Sequence, residues 1–516
     1  ATGASTAASR SARAFRVRYD AALGHRDRPA LPHPANGDEE RYPNRIGSYS
    51  KGLPHDAWGE VDEAAYGGLL RAATSGSWDD FEAIRMGGVV KLTNPQAGFA
   101  FDMEGADTQY LAIPPAPALS SAEEAGEAVE LYWMALLRDV HFLDYGESPD
   151  VAAALADINR LQDFRGTRRH GAVTAQTLFR DPLPGTSRGP YISQFLWRPA
   201  PFGAEVIDRL IHSPVSGLDH LVSYSDWLDA QSGIEPIKPP RLEPGRRYIR
   251  NGRDLAGWVH ADILFQAYFI ACLILGAPPD PGDMATHGGI GCPYNPSNPY
   301  LASRNQVGFA TFGLPYIKST LCEVASRALK ATWYQKWLVH RRLRPEAFGG
   351  VVHNQVTANR YPGLLHGDLL GSPALARVFS RHGTYLLPQA FPEGCPTHPS
   401  YSAGHATVAG ACVTVLKAMF DESFVIRAPL VPSPDGVSLL PYTGPELTVG
   451  GELNKLASNI ATGRNIAGVH WRSDATESLK LGEAIAMSIL ADHTACFDER
   501  FAGFSFTDFA GRRVTV

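Results

Sequence analysis

Gly404 and His405 stand where a small, polar, Gly-broken stretch beginning at His398 gives way to an apolar helical run ending near Phe420. A helix start carries unpaired N–H groups and a partial positive charge. Gly404 therefore predicts an oxyanion site, and His405 a group that exchanges protons with whatever the amides hold. Two basic clusters flank this stretch. The first is Lys336 and Arg344 in KWLVHRRLRP. In a continuous helix the two would sit about 80° apart around the axis. The residue before a proline is biased out of the helix, so the helix should end before Arg344 and free its guanidinium to swing back toward Lys336. A planar fork and a point charge together suit a tetrahedral oxyanion. The second cluster is Arg464, His470 and Asp474 in GRNIAGVHWRSD. If that segment is helical, Asp474 at i+4 orients the His470 imidazole, fixes its tautomer and raises its basicity, as a nucleophile or a ligand requires. Each cluster alone also fits a solvated or structural role. In the order Lys-x7-Arg-Pro, Gly-His, Arg-x5-His-x3-Asp they converge on one anion pocket. Ala403 departs from that logic, because a hydroxyl is expected beside such a pocket.

Helices must position these groups, and the chain supplies them. Ser120 or Ser121 caps a helical pattern beginning SSAEEAGEAVELYW, and VAAALADINRLQDF and GAEVIDRLIHSPV continue it. His260 to Ala277 is apolar on nearly every side and predicts one central core helix. A Pro/Gly/Asn loop follows (APPDPGDMATHGGIGCPYNPSNPY). Ser319 to Leu343 is the longest uninterrupted helical pattern, and a final helix covers TESLKLGEAIAMSILADHTACF. Strand signals are weak except near SFVIRAPLV and the last residues. The fold class is mainly α, a helical bundle with long irregular loops. Residues 1–118 read as an irregular N-terminal wrap, and residues 119–516 as the helical domain carrying the oxyanion pocket.

Apolar content of 44%, charged content of 19% and a net charge of −6 fit a globular enzyme and give no reason to invoke nucleic acid or an anionic membrane. Six scattered cysteines form neither a disulfide framework nor a CxxC zinc signature. The N-terminal ATGASTAASRSARAF lacks the apolar core of a signal peptide, and no run of 18 or more apolar residues exists. The expectation is a cytoplasmic protein with no membrane partner.

Taken together, the motifs resemble the vanadium-dependent haloperoxidases, which share their site architecture with the type 2 phosphatidic acid phosphatases. NGDEERYP, KGLPHDAWGEVD, GPYISQFLW and GELNKLASNIATGRNIAGVHWRSD extend the resemblance over most of the chain, nearest the algal and bacterial branches. It implies a helical bundle of the haloperoxidase and acid phosphatase type. It also implies that Lys336, Arg344, Gly404 and Arg464 hold vanadate, that His470 bonds to the metal, and that His405 protonates bound peroxide. The metal would act as a Lewis acid that activates peroxide for attack by halide. His398 matches a position linked to halide choice. With Phe348 and Tyr300 it is a candidate for the organic-substrate pocket, each as readily core as contact.

Ala403 stands where the family has serine, and Gly463 where the phosphatases have it. Losing one hydrogen bond to a charged group costs about 1.5–3 kcal/mol, roughly ten- to a hundredfold in affinity. Weighed this way, the sequence favours a redirected scaffold resembling streptomycete homologues of meroterpenoid (napyradiomycin-type) biosynthesis. The expected activity is then an α-hydroxyketone isomerase working on an aromatic or terpenoid small molecule by acyloin rearrangement. His405 would be the base, with Arg344 and Lys336 stabilising the enolate-like oxygen. No cofactor is required in that reading, and phosphate or a phosphohistidine at His470 fills the site. The alternatives are an active vanadium-dependent chloro- or bromoperoxidase using hydrogen peroxide, a soluble acid phosphatase, and a non-catalytic binding protein. Family members pair through helical faces, so the resemblance also implies a homodimer.

Overall fold

The computed structural model describes residues 7–235, 237–279 and 288–516. The first six residues of the expected N-terminal wrap, and residues 280–287 of the Pro/Gly/Asn loop, lie outside the described residues. In chain order the main helices are α1 (Ala7–Asp27), α2 (Glu63–Ser75), α3 (Ala122–Leu136), α4 (Gly252–Ala261) and α5 (Gln266–Gly276), then α6 (Leu314–Tyr334), α7 (Pro345–Ala358), α8 (Gly404–Met419), α9 (Val449–Ile466) and α10 (Arg472–Cys496). The strands described form two-stranded antiparallel sheets: β1 (Ala200–Phe202) with β2 (Glu205–Ile207), β3 (Ile211–Pro214) with β4 (Leu242–Arg247), β5 (Leu430–Pro432) with β6 (Leu439–Pro441), and β7 (Ser505–Thr507) with β8 (Arg513–Thr515). The mainly α bundle with long irregular connections is the observed class.

α8 is the buried axis. Every residue from Gly404 to Met419 except His405 is buried, and the helix packs on α6, α9 and α10. Glycine permits the closest of these approaches. A Cβ added at Gly482 of α10 would sit 2.0 Å from the Thr407 carbonyl oxygen, and one at Gly410 would sit 2.1 Å from the Leu479 carbonyl oxygen. A smaller hydrophobic cluster, including Tyr49, Leu53, Tyr66 and Leu69, closes on Trp337.

Three local expectations change. GAEVIDRLIHSPV is not helical; it forms the turn after β1, then β2 and β3. Gly203, at φ 64°, makes the tight turn pairing Phe202 with Glu205, a geometry that the strand twist favours. The core helix expected from His260 to Ala277 is two helices, α4 and α5, bent by 100°. Asp262 ends α4 in extended conformation (φ −68°, ψ 155°). Among the described residues no single helix is long and apolar enough to cross a membrane, and the α4–α5 pair meets that length only as a bent unit.

The helical pattern from Ser319 to Leu343 is α6 followed by a π-helical turn, Gln335–His340. Such turns often sit at functional sites, and this one carries Lys336. Arg341 then adopts a left-handed conformation (φ 38°), and Arg344 is extended (φ −80°, ψ 150°) ahead of Pro345, which opens α7. The helix thus ends before Arg344, as the X-Pro geometry requires.

Candidate active site

Lys336, Arg344 and Arg464 are buried, at 0%, 1% and 7% exposure. Lys336 Nζ donates to the carbonyls of Pro399 (2.6 Å) and Ser400 (3.0 Å). Arg344 donates to the carbonyls of His398 (2.9 Å) and Val469 (2.6 Å) and to two imidazoles. Arg464 donates to the Val259 carbonyl (2.9 Å), and its buried Nε has no partner among the described residues. Among the described residues none of the three is ion-paired with a carboxylate. Burial and then Arg344 hold the Lys336 ammonium well below its usual range, with Arg464 adding to the effect. Burial brings Arg464 down to about 10. Buried cations without a counter-charge are costly, and an anion bound among them repairs that cost.

His470 sits beside them, 2% exposed. It is not one turn from Asp474 within a helix. It lies in the loop before Trp471, the N-cap of α10, and Asp474 reaches back across the helix start. The His470 Nδ1–H donates to Asp474 Oδ2 at 2.9 Å, while Nε2 accepts from Arg344 at 3.0 Å. That arrangement keeps the imidazole neutral with its lone pair on Nε2. Burial, then Arg344, hold its pKa far below the ordinary histidine value.

Asp474 also accepts from Ser400 Oγ, the Trp471 amide (3.1 Å) and Arg342 (2.7 Å). Burial opposes its ionisation, but Arg342, His470 and Ser400 outweigh it and hold the carboxyl well below the usual range. Arg342 is shared with Glu124 (2.6 Å) and Glu127 (3.2 Å) of α3, and burial lifts both of those carboxyls.

At the start of α8, His405 Nε2 lies 3.0 Å from Asp262 Oδ1. The break between α4 and α5 is what exposes that carboxylate to it. The same segment also holds Arg464 through the Val259 carbonyl, and Glu393 through His260 (2.7 Å). Phe391 stacks on the His260 ring (3.9 Å between centroids) and carries the Arg464 guanidinium 5.2 Å over its face. A Cβ at Gly404 would meet only ordinary contacts at 3.6 Å, from Leu329 and Trp333. Ala403 is the N-cap of α8 and supplies no side-chain cap; its own amide donates to Ser478 Oγ at 2.7 Å. The buried Ser402 hydroxyl has no partner among the described residues.

The structure brings Lys336, Arg344, His398, His470 and Asp474 into one hydrogen-bonded or electrostatically linked group, with Arg464 coupled to its cations. His398 accepts from Arg344 on Nδ1 (2.8 Å) and lies against Trp333 (4.9 Å between centroids). Phe348 and Tyr300 are placed elsewhere. Phe348 is a core ring, edge-on to Trp471 at 5.3 Å. Tyr300 hydrogen-bonds Glu499 (2.8 Å) and packs against Phe312. Sequence reasoning missed Asp262, Arg342, Phe391 and Ser400. A carboxylate interrupting the apolar run HADILF was the available signal for Asp262; nothing local marked the others.

A family model described as the VCPO second helical-bundle domain matches residues 324–499. The chain is 35% identical to vanadium-dependent bromoperoxidases of Corallina pilulifera and Corallina officinalis, over 98% of this chain and 98% of theirs. It is 35% identical to that of Ascophyllum nodosum over 91% of this chain and 86% of that one. The homohexameric structure of the second vanadate-dependent bromoperoxidase of Ascophyllum nodosum superposes with a TM-score of 0.91 at 30% identity, covering 98% of this chain and 90% of that one.

These matches overturn the streptomycete, meroterpenoid reading and the α-hydroxyketone isomerase drawn from it. That reading gave Ala403 too much weight. Ala403 offers no hydroxyl, yet three buried cations stand without a carboxylate partner among the described residues, and a neutral imidazole faces them. The homodimer expected from family habit is likewise not what the similar solved structure forms, since that protein is a homohexamer. With that likeness running the length of the chain, and with Lys336, Arg344, Arg464 and His470 buried as one electrostatically linked group, the chain belongs to the vanadium-dependent haloperoxidases, in the branch that holds the algal bromoperoxidases.

Proposed function

We propose that the protein is a vanadate-dependent bromoperoxidase that uses hydrogen peroxide to oxidise bromide, by the balance H2O2 + Br− + H+ → HOBr + H2O. The observation that carries this reading is the trio of buried, carboxylate-free cations beside the Nε2 lone pair of His470. Lys336, Arg344, Arg464 and the Gly404 amide would hold vanadate, with His470 Nε2 as its protein ligand. The donor set fits, because Arg464 Nε is buried with no other partner. Bound vanadate supplies a Lewis acid that activates peroxide without itself changing oxidation state.

The chain's own groups do the rest. Asp474 fixes the proton of His470 on Nδ1 and so directs the lone pair of Nε2 toward the pocket's cations. Asp262 holds the His405 ring by Nε2, which leaves Nδ1 as the atom that takes up and releases the proton consumed in the balance above. Trp333, Phe391 and His398 supply the aromatic surface around the cations. We further propose that the chain works as a homo-oligomer, on the precedent of the homohexameric relative.

The test is to titrate the metal-free protein with vanadate and assay bromination of an organic acceptor with peroxide and bromide. Bromination should appear in proportion to bound vanadate and be suppressed by competing phosphate. A protein that binds vanadate stoichiometrically yet brominates nothing would sink the reading.

A further inference from the structure

α1 buries none of its 21 residues. Ala14, Val17, Leu23 and His25 are half-buried. Arg13 reaches Asp498 and the Phe497 carbonyl, and Tyr110 Oη donates to the His25 carbonyl. Ala8, Ala12, Phe15, Tyr19 and Ala22 form an exposed stripe with 4-3-4-3 spacing, the pattern that seats one helix against another. Phe15 and Tyr19 are 68% and 52% exposed, their rings stacked 5.8 Å apart. An isolated helix of this length is marginal in water, and most helices in proteins are stabilised by burying a face.

We infer that α1 is an assembly arm whose outer stripe docks on the body of a second copy of this chain. This rests on the proposed homo-oligomer and is independent of the halogenating chemistry. Charge favours the body of the second copy over its arm. α1 carries five arginines against two aspartates, in a chain whose net charge is −6. Two arms laid together would bring Arg16 and Arg18, which flank the stripe, against their own kind. The body leaves large apolar side chains uncovered for such a helix, at Phe101, Met103, Val307 and Phe309, each 70% exposed or more. The homohexameric relative covers 98% of this chain, a match that loss of a 21-residue helix would not permit.

Mass measurements on the full chain over a range of concentrations test the arm, comparing wild type with Phe15→Glu/Tyr19→Glu and with Arg16→Glu/Arg18→Glu. Wild type should be a multimer. Both variants should dissociate at protein concentrations roughly tenfold higher or more than wild type does, as loss of an aromatic anchor or its charge complement predicts. Circular dichroism of the variant protomers should be unchanged, because these side chains are exposed. A multimeric wild type with unshifted variants overturns the arm alone. A wild type that stays a single chain at every concentration overturns the assembly as well. Flotation of that single chain with vesicles of anionic phospholipid would assign the stripe to a membrane instead of a second copy.

Discussion

His405 meets Asp262 at 3.0 Å across the break between α4 and α5. The carboxylate touches the ring and none of the three buried cations, so it positions His405 without itself holding an oxyanion. Asp262→Asn should lower bromination about ten- to a hundredfold, the usual cost of losing a partner that orients an active-site histidine. Vanadate affinity should stay level or tighten slightly, because one negative charge felt by Arg464 disappears. Titration of the anion beside steady-state kinetics separates the two quantities. A parallel loss of affinity and rate would make Asp262 part of the anion site instead.

Ala403→Ser places a hydroxyl at the N-cap of α8, where the helix has no side-chain cap. Two gains are expected together. A cap hydroxyl stabilises a helix by about 0.5–2 kcal/mol, read as a raised midpoint of denaturant unfolding. A hydrogen bond to a charged ligand is worth about 1.5–3 kcal/mol, read as vanadate binding roughly ten- to a hundredfold tighter. If stability rises while affinity stands still, the hydroxyl faces the helix and not the pocket.

The site was more legible in the sequence than its chemistry. Gly404 at a helix start and Arg344 freed by Pro345 follow from local rules, and both appear in the fold. The break at Asp262 was hidden, because the apolar run around it reads as one buried helix and only its tertiary partner His405 explains the interruption. Asp474 was paired with the right histidine for the wrong geometric reason. The i, i+4 spacing suggested a shared helix, whereas the contact crosses a helix start. Arg342 lies two residues from Arg344, and no periodicity shows that it belongs to Glu124, Glu127 and Asp474. Ala403, which has no side-chain hydroxyl, was allowed to decide the reaction against three buried cations and a neutral imidazole that the same sequence supplies.

Stability should fall on mild acidification. Burial lowers the pKa of His55 to about 4. Burial, with His33 and Arg342 adding to it, lowers that of His340 to about 3. The unfolded chain takes up a proton at each of these residues below the ordinary histidine value, while the folded chain does not. Below pH about 6.5, unfolding therefore gains about 1.4 kcal/mol per pH unit for each histidine, and above that pH this contribution is flat. Urea midpoints at neutral pH and at two steps below it should decline in order, and His340→Gln should make the decline shallower. Midpoints that hold steady or climb toward acid would contradict the buried neutral state of both rings.

Asp474 joins two tasks, and a pair of substitutions can separate them. Its carboxylate accepts from His470, the Trp471 amide, Ser400 and Arg342. Asp474→Ala strips all four donors at once and should destabilise the fold by about 3 kcal/mol. That is the lower end for a broken buried pair, because Arg342 keeps Glu124 and Glu127. Asp474→Asn keeps the shape and part of the hydrogen bonding, so its stability loss should be smaller. It removes the charge that fixes the His470 proton on Nδ1, and vanadate affinity should drop about ten- to a hundredfold. Calorimetry of anion binding at matched folded fractions checks the second effect independently of the first. An asparagine variant that binds vanadate as tightly as wild type would reduce Asp474 to a structural anchor for the start of α10.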